Sequence, residues 1–410
     1  MFALAPFLVA LLREQRPSQH ILLAALFAAA WRVPGAFWYF WIFPAWLAAL
    51  MITGNIALLV LVICLPGLAG LRRPIPRLIA IAVLWTALIG LRANMPATAA
   101  WVVPNLTHLQ WLNPLTIQAA RLGDFSLVAA VLIAVNGLWA VLWQTGRRMA
   151  LLAGAILVLV ACIGFDADLR RRTADRGPVA TVIGVQAPVR LPSHLAPAGA
   201  PETTEDEIQD LMRRTIAAIA DSRAGAANPA LPLFVVWPEN DIPGTMEAPA
   251  QALARDQAIY LTYHIRRPHR GALPFAAAVL VGPDGTVLLE NNKRHPAPGE
   301  RITGNETYDH AQVGALTVLT DICYDLHFPD IGDRLQGADL LLAPVDDDRF
   351  RMPFPMLHAA EATYRAVENN VAVATASTNG PSFMVQRNGL VSVLPLPLWA
   401  LATYTVEVMK

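Results

Sequence analysis

Cysteine is scarce in this chain, with three in 410 residues, at positions 64, 162 and 323. Cys64 and Cys162 lie inside apolar runs and Cys323 stands alone, so no disulfide framework can be built. His264, His269, His295 and His327 lack zinc-ligand spacing. Asp346, Asp347 and Asp348 are adjacent, without the alternation of a calcium loop, and read as a solvated turn. Neither a metal nor an organic cofactor is expected. Charge is also sparse: 15% of residues are charged and the net charge is zero, which offers nucleic acid no basic footprint. The first twelve residues, MFALAPFLVALL, have no basic start and no small-residue cleavage site, so a removable signal peptide is not expected. No internal repeat stands out.

What the chain has in excess is apolar surface, 55% of its residues, and most of it falls before residue 165. Several runs are long enough to cross a bilayer, which takes roughly 20 helical residues. Spans are expected near 21–42, 45–70, 78–95, 125–145 and 149–165. Aromatics gather at their ends (FWYFWIFPAW, WLNPL, GLWAVLW), as interfacial belts do. Arg32 falls inside the first span. It either faces the bundle interior or snorkels, or the helix breaks at Pro34–Gly35. Arg13 and Arg16, then Arg72, Arg73 and Arg77, then Arg147 and Arg148 all fall on one side if the spans alternate, and the positive-inside rule makes that side cytoplasmic. Five crossings then deliver the rest of the chain outside, although DLRRRTADR at 168–176 pulls the other way. The expectation is a multi-pass protein of a bacterial inner membrane: a transmembrane helical domain over 1–170, then a periplasmic α/β domain over 176–410.

A Pro/Ala-rich linker, PSHLAPAGAP, interrupts the second part. Around it the pattern alternates strand and helix. VATVIGVQAP is a strand, and ETTEDEIQDLMRRTIAAIADSR opens like a capping box and continues with helical spacing. LPLFVVWPEN, AIYLTYHI, ALTVLTDICYD and ADLLLAPVDD are strands, AAAVLVGPDGTVLLENNK is a hairpin turned by Pro-Asp-Gly, and PMLHAAEATYRAVENN is a helix. VAVATAST and LATYTVEV complete the strands.

Three strand ends carry an acid, an amine and a thiol: Glu239, Lys293 and Cys323. Sites form at strand ends in α/β architecture. A thiol becomes a nucleophile when a base removes its proton, and a partly buried carboxylate can be that base. A lysine beside the reacting carbonyl, with the backbone N–H of Tyr324, can stabilise an oxyanion. Each residue also has a plainer reading. A lone cysteine at a strand end is usually core, Glu239 can cap a strand, and Lys293 sits in the polar run NNKRH.

The segments VVWPENDIP, NNKRHPAPGE and DICYDLHFPD resemble the glutamate, lysine and cysteine motifs of the nitrilase, or carbon–nitrogen hydrolase, superfamily, and RAVENNVAVATASTNG adds a fourth similarity. The resemblance implies an α-β-β-α sandwich, with Glu239 as general base, Lys293 as oxyanion stabiliser, Cys323 as nucleophile, and Glu300 holding the lysine. Membrane helices ahead of such a domain resemble apolipoprotein N-acyltransferase, which moves an acyl chain from phospholipid to a lipoprotein amine through a thioester. Only RITGNETYDHAQVGA stands where that family has a long apolar arm. Asp325 replaces its glutamate two residues after the nucleophile, and the chain ends at TVEVMK without its closing helix. In this shortened form the sequence most resembles TraB-type conjugal transfer proteins of rhizobial and agrobacterial plasmids.

The resulting expectation is a membrane-anchored thiol enzyme that hydrolyses amides or transfers acyl groups in the service of plasmid transfer. Its partners would be the bilayer, an acyl donor or amide, and the conjugation machinery. The alternatives are a non-catalytic component of that machinery retaining the fold, or a true lipoprotein N-acyltransferase.

Overall fold

β-Branched residues alternate along Pro178–Val185 (β1) so that Val182 and Ile183 point to opposite faces and enter two different apolar cores, as the two-residue period of a strand requires. The same split recurs at Phe234 and Val236 against Val235 and Trp237. This strand therefore belongs to a sheet covered on both faces. The computed structural model of the chain describes residues 4–13, 16–94, 104–186, 204–225, 228–239, 241–305, 308–347, 350, 352–378, 380–392 and 403–410. The linker PSHLAPAGAP lies outside them. The described chain forms two compact units, Met1–Asp168 and Leu169–Lys410.

In the second unit, one sheet has six strands. Thr403–Met409 (β11), β1, Leu233–Val236 (β2), Tyr260–Arg267 (β3), Phe275–Val281 (β4) and Val287–Asn292 (β5) lie side by side in that order. The other sheet runs Phe383–Val385 (β10), Ala372–Ser377 (β9), Leu340–Val345 (β8), Leu316–Thr320 (β7) and Ala311–Val313 (β6). β1, β2 and β3 are parallel, as are β7, β8 and β9. Leu280 and Leu289 of the first sheet share a core with Val318, Leu340 and Ala374 of the second, so the sheets pack face to face. On the outer face of the first sheet lie the helices Glu205–Gly225 and Glu247–Asp256, through Ile208, Leu211, Ala250 and Leu253. The helix Phe354–Asn369, buried along almost its whole length, packs against β9. The result is the α-β-β-α sandwich that the motifs imply.

Local chemistry fixes the details. Thr204 and Glu207 form a reciprocal capping box: the Thr204 N–H donates to Glu207 Oε2 at 2.8 Å, and the Glu207 N–H donates to Thr204 Oγ1 at 3.3 Å. Trp237 Nε1 donates to Thr215 Oγ1 at 2.9 Å, pinning that helix to the end of β2. On β1, Gly184 lies opposite Tyr404, where a Cβ would fall 2.0 Å from the tyrosine ring. The Tyr404 hydroxyl reaches across to the second sheet and lies 2.9 Å from the Thr375 carbonyl.

The first unit is helical. Among the described residues, four helices are long and apolar enough to cross a membrane: Ala45–Leu68, Pro74–Arg92, Ala120–Gln144 and Met149–Asp175. Three expected bounds move. The third span begins a turn early, with Pro74 at the helix start, where its missing N–H costs nothing. The fourth begins at Ala120, but the backbone kinks at Gly123–Asp124 and Asp124 recaps the helix by accepting from the Ser126 N–H. The last does not stop at 165, because its helix continues through the arginines to Asp175. The first expected span, 21–42, is not one apolar helix. It is Pro17–Ala36, with His20 and Arg32 buried, followed by the short turn Tyr39–Ile42. The helix passes through Pro34–Gly35 unbroken, and the Arg32 guanidinium donates to the Pro104 carbonyl, so Arg32 faces the interior. Gly35 allows this closeness, since a Cβ there would lie 2.4 Å from Pro104 Cγ. Farther along, Arg92 donates to Asn55 Oδ1.

Candidate active site

β2 and β5 run in the same direction, because two antiparallel pairings separate β3 from β5. Their ends therefore project from one edge of the first sheet, and Glu239 and Lys293 follow them by three residues and one. Cys323 follows β7 by three residues, and Asp346 and Asp347 follow β8 directly. One pocket is lined by Glu239, Lys293, Glu300, Cys323, Asp346 and Phe350. The structure thus brings together the three candidate catalytic residues and the second glutamate. Tyr324 and Asp325 are buried beside the pocket rather than in its lining.

The Lys293 ammonium is held between two carboxylates, 2.9 Å from Glu239 Oε1 and 2.9 Å from Glu300 Oε2. Its own N–H is fixed to the Ala276 carbonyl of β4 at 2.8 Å. Burial opposes the lysine's charge, but the two carboxylates outweigh it and hold its pKa well above the ordinary value. Burial likewise opposes ionisation of Glu300, yet Lys293 and the Ala297 N–H, which donates to it at 2.8 Å, bring its pKa below the usual carboxylate range. Glu239 goes the other way. Burial, with the charges of Glu300 and Asp346, raises it to about 8 against the pull of Lys293. One carboxylate is therefore a permanent counter-ion, and the other is poised near neutrality to accept a proton.

Cys323 opens a short 3₁₀ turn, Cys323–His327, with φ +42. Non-glycine residues reach this left-handed region at a cost of about 1–3 kcal/mol, so the surroundings must hold the turn in place. The buried His358 does so from the helix Phe354–Asn369. Its Nε2 lies 2.9 Å from the Cys323 carbonyl and its Nδ1 lies 3.1 Å from Asp347 Oδ1. Ser377, at the end of β9, donates to the other Asp347 oxygen at 2.9 Å. The Cys323 thiol rests against the Asp346 carbonyl at 3.7 Å. Burial and the Glu239 charge push it well above the ordinary thiol range, with Lys293 opposing. The thiol is therefore neutral at rest and needs a base.

Asp325 ties this turn to the lysine. Its Oδ2 accepts from the Arg294 N–H at 2.8 Å and its Oδ1 from the His295 N–H at 2.7 Å, the two residues directly after Lys293. The His295 ring adds a third contact at 2.9 Å. Burial disfavours the Asp325 charge, but these donors and Arg334 more than compensate and lower its pKa. Burial also opposes the charge on His295, yet Asp325 and Asp330 raise its pKa to about 9.

The reading of Asp346, Asp347 and Asp348 as a solvated turn is corrected for the two described residues. Asp347 is 1% exposed and bonded on both oxygens, while Asp346 lines the pocket; Asp348 lies outside the described residues. The His358–Asp347 support and the trio Asp241, His264 and Arg266 in the pocket wall went unread in the sequence. A lone histidine among the alanines of PMLHAAEATYRAVENN was the one available signal for the first.

Residues 222–409 match the family profile Carbon-nitrogen hydrolase. Over this stretch the C-terminal part of the chain is similar to carbon–nitrogen hydrolases. Among curated proteins, the chain is 25% identical over 195 residues to "Apolipoprotein N-acyltransferase" of Allorhizobium ampelinum, covering 39% of this chain and 37% of that protein. It is 26% identical over 319 residues to the protein of the same name from Rhizobium meliloti, covering 68% of this chain and 58% of that one. The chain thus spans less than two thirds of the length of these relatives. Among solved structures, an amidase from Nesterenkonia sp. aligns with a TM-score of 0.44 and 19% identity, over 57% of this chain and 92% of that one. All three candidate catalytic residues fall inside the matched stretch, 222–409.

Proposed function

We propose that this protein is a membrane-anchored acyl-transferring thiol enzyme in which Cys323 is the nucleophile, Glu239 the general base and Lys293 the oxyanion stabiliser. The observation that carries the reading is the Lys293 ammonium, buried between Glu239 and Glu300 in the pocket that Cys323 lines. Ionised Glu239 takes the thiol proton, and the sulfur attacks the carbonyl of an ester or amide. Negative charge developing on that oxygen is met by Lys293 and the Tyr324 N–H. Collapse expels the leaving group, which takes the proton back from Glu239, and leaves a thioester on Cys323. An amine or water then attacks, gives its proton through Glu239, and releases the free thiol. The names of the curated relatives favour a nitrogen acceptor on an apolipoprotein, and the resemblance to that family implies a phospholipid as acyl donor. Service in conjugal plasmid transfer rests on the TraB resemblance alone.

The test is intact mass spectrometry of the full chain after incubation with membranes. An acyl-sized adduct on Cys323 is expected, absent in Cys323→Ala, and that variant should also fail to support plasmid transfer. No adduct, together with normal transfer by Cys323→Ala, would sink the reading.

The catalytic domain is proposed to be periplasmic, on an argument that does not depend on the first helix. The turn carrying Arg72 and Arg73 is followed by three helices able to cross: Pro74–Arg92, Ala120–Gln144 and Met149–Asp175. The turn at Arg147 falls on the same side as the first, and the domain follows the third crossing. Alkaline phosphatase joined after Lys410 should therefore be active in cells. An inactive fusion with a fluorescent cytoplasmic counterpart would reverse the assignment.

A further inference from the structure

From residue 15 to residue 123 the chain contains no aspartate or glutamate, yet it has arginines at 16, 32, 72, 73, 77, 92 and 121. Cations in a membrane segment need a counter-charge or a dipole. Arg32 and Arg92 find theirs within the unit, at the Pro104 carbonyl and at Asn55. Arg77 does not. It is 7% exposed, its Nη2 lies 2.6 Å from a ring nitrogen of His20, and its Nε has no hydrogen-bond partner among the described residues. No carboxylate pairs with it among the described residues. It stands in the first turn of the helix Pro74–Asn94, the electropositive end.

Arg77, Arg72 and His20 line a pocket, open to the outside, whose remaining wall includes Ile21, Gly67 and Leu68. The Arg77 guanidinium lies against bare backbone, since a Cβ on Gly67 would sit 3.0 Å from its Nη2. Ile21 and Leu68 are exposed beside it. The pocket adjoins the turn between two membrane-crossing helices, so it lies where headgroups meet acyl chains. Buried positive charge next to exposed apolar surface at that depth fits a lipid phosphate better than a free anion, which would gain nothing from Ile21 and Leu68. We propose that this pocket binds the phosphate of an anionic phospholipid, with Arg77 and Arg72 on the phosphate and the acyl chains along Ile21 and Leu68. The site is separate from the Cys323 pocket and does not depend on its chemistry.

Native mass spectrometry of the full chain in detergent, with phosphatidylglycerol, phosphatidylcholine or inorganic phosphate added, tests this. Phosphatidylglycerol should be retained over phosphatidylcholine. Arg77→Gln and Arg72→Gln should each lower retention by roughly fivefold, the factor matching about 1 kcal/mol per arginine at an anionic surface. Arg77→Lys should keep most of it. Arg73→Gln, in the same turn but outside the pocket lining, should leave it unchanged. Thermal unfolding of each variant in the same detergent shows whether it folds, and if Arg77→Gln does not, the exposed Arg72 decides. Equal loss in Arg73→Gln, equal retention of both lipids, or stabilisation by inorganic phosphate as large as that by lipid would each overturn the proposal.

Discussion

At the scale of single residues, the site is an unequal pair of carboxylates around one ammonium. Glu300 is the counter-ion, because a backbone N–H and Lys293 both favour its charge. Glu239 lacks that N–H and is raised to about 8, by burial first and then by its anionic neighbours. Only its ionised form can take the thiol proton, and that fraction falls as pH drops below its pKa. The expected kcat/KM therefore declines about tenfold per unit below pH 8. Glu300→Gln removes a charge that raises Glu239, so its profile should shift to lower pH. A pH–rate profile of both proteins checks this, and a flat profile between pH 6 and 8 would count against Glu239 as the base.

At the scale of elements, the turn that carries Cys323 is held in part by His358 from a helix and by Asp325, which reaches the chain just after β5. Asp325 is 1% exposed and accepts from two backbone N–H groups and a histidine ring. Asparagine has one side-chain oxygen in place of two, so Asp325→Asn leaves a buried donor unsatisfied at a cost of roughly 1–3 kcal/mol. The expected outcome is a lower Tm and a lower kcat at nearly unchanged KM, since Lys293 shifts relative to Cys323. The His295 pKa, now about 9, should fall in the same variant, and NMR titration reads that directly. An unchanged His295 titration would show that the contact does not tie the turn to the lysine loop. Asp325→Glu keeps the charge and should lose less.

At the scale of the whole molecule, the candidate catalytic residues come from two different sheets, so the site exists only while the sandwich holds its spacing. Tyr404 spans that interface. It lies flat over Gly184 and lies within hydrogen-bonding reach of carbonyls of the second sheet. Gly184→Ala would put a Cβ 2.0 Å from the ring, forcing strand or tyrosine to move. A loss of about 1–3 kcal/mol is expected, measurable by chemical denaturation, and activity should fall with it. Full stability would mean that β11 can shift without disturbing the interface.

The sequence by itself determined the two-part plan, most of the strands and the identity of the candidate site. Each of these is carried by local signals: long apolar runs, alternation along strands, a capping box, and polar residues that end apolar strands. Tertiary structure decided the rest. The three distant motifs could be read one by one, but only the face-to-face packing of two sheets brings Cys323 to Lys293 and Glu239. The run Asp346–Asp348 reads as exposed because consecutive acids usually are, yet His358 and Ser377 arrive from elsewhere in the chain to satisfy Asp347 in the interior. Asp325 looked like a shortened version of a family glutamate, and in the fold its length lets it meet the Arg294 and His295 N–H groups. The pKa values that separate Glu239 from Glu300 likewise belong to the fold, since burial and the distance to a shared lysine are not written at either position.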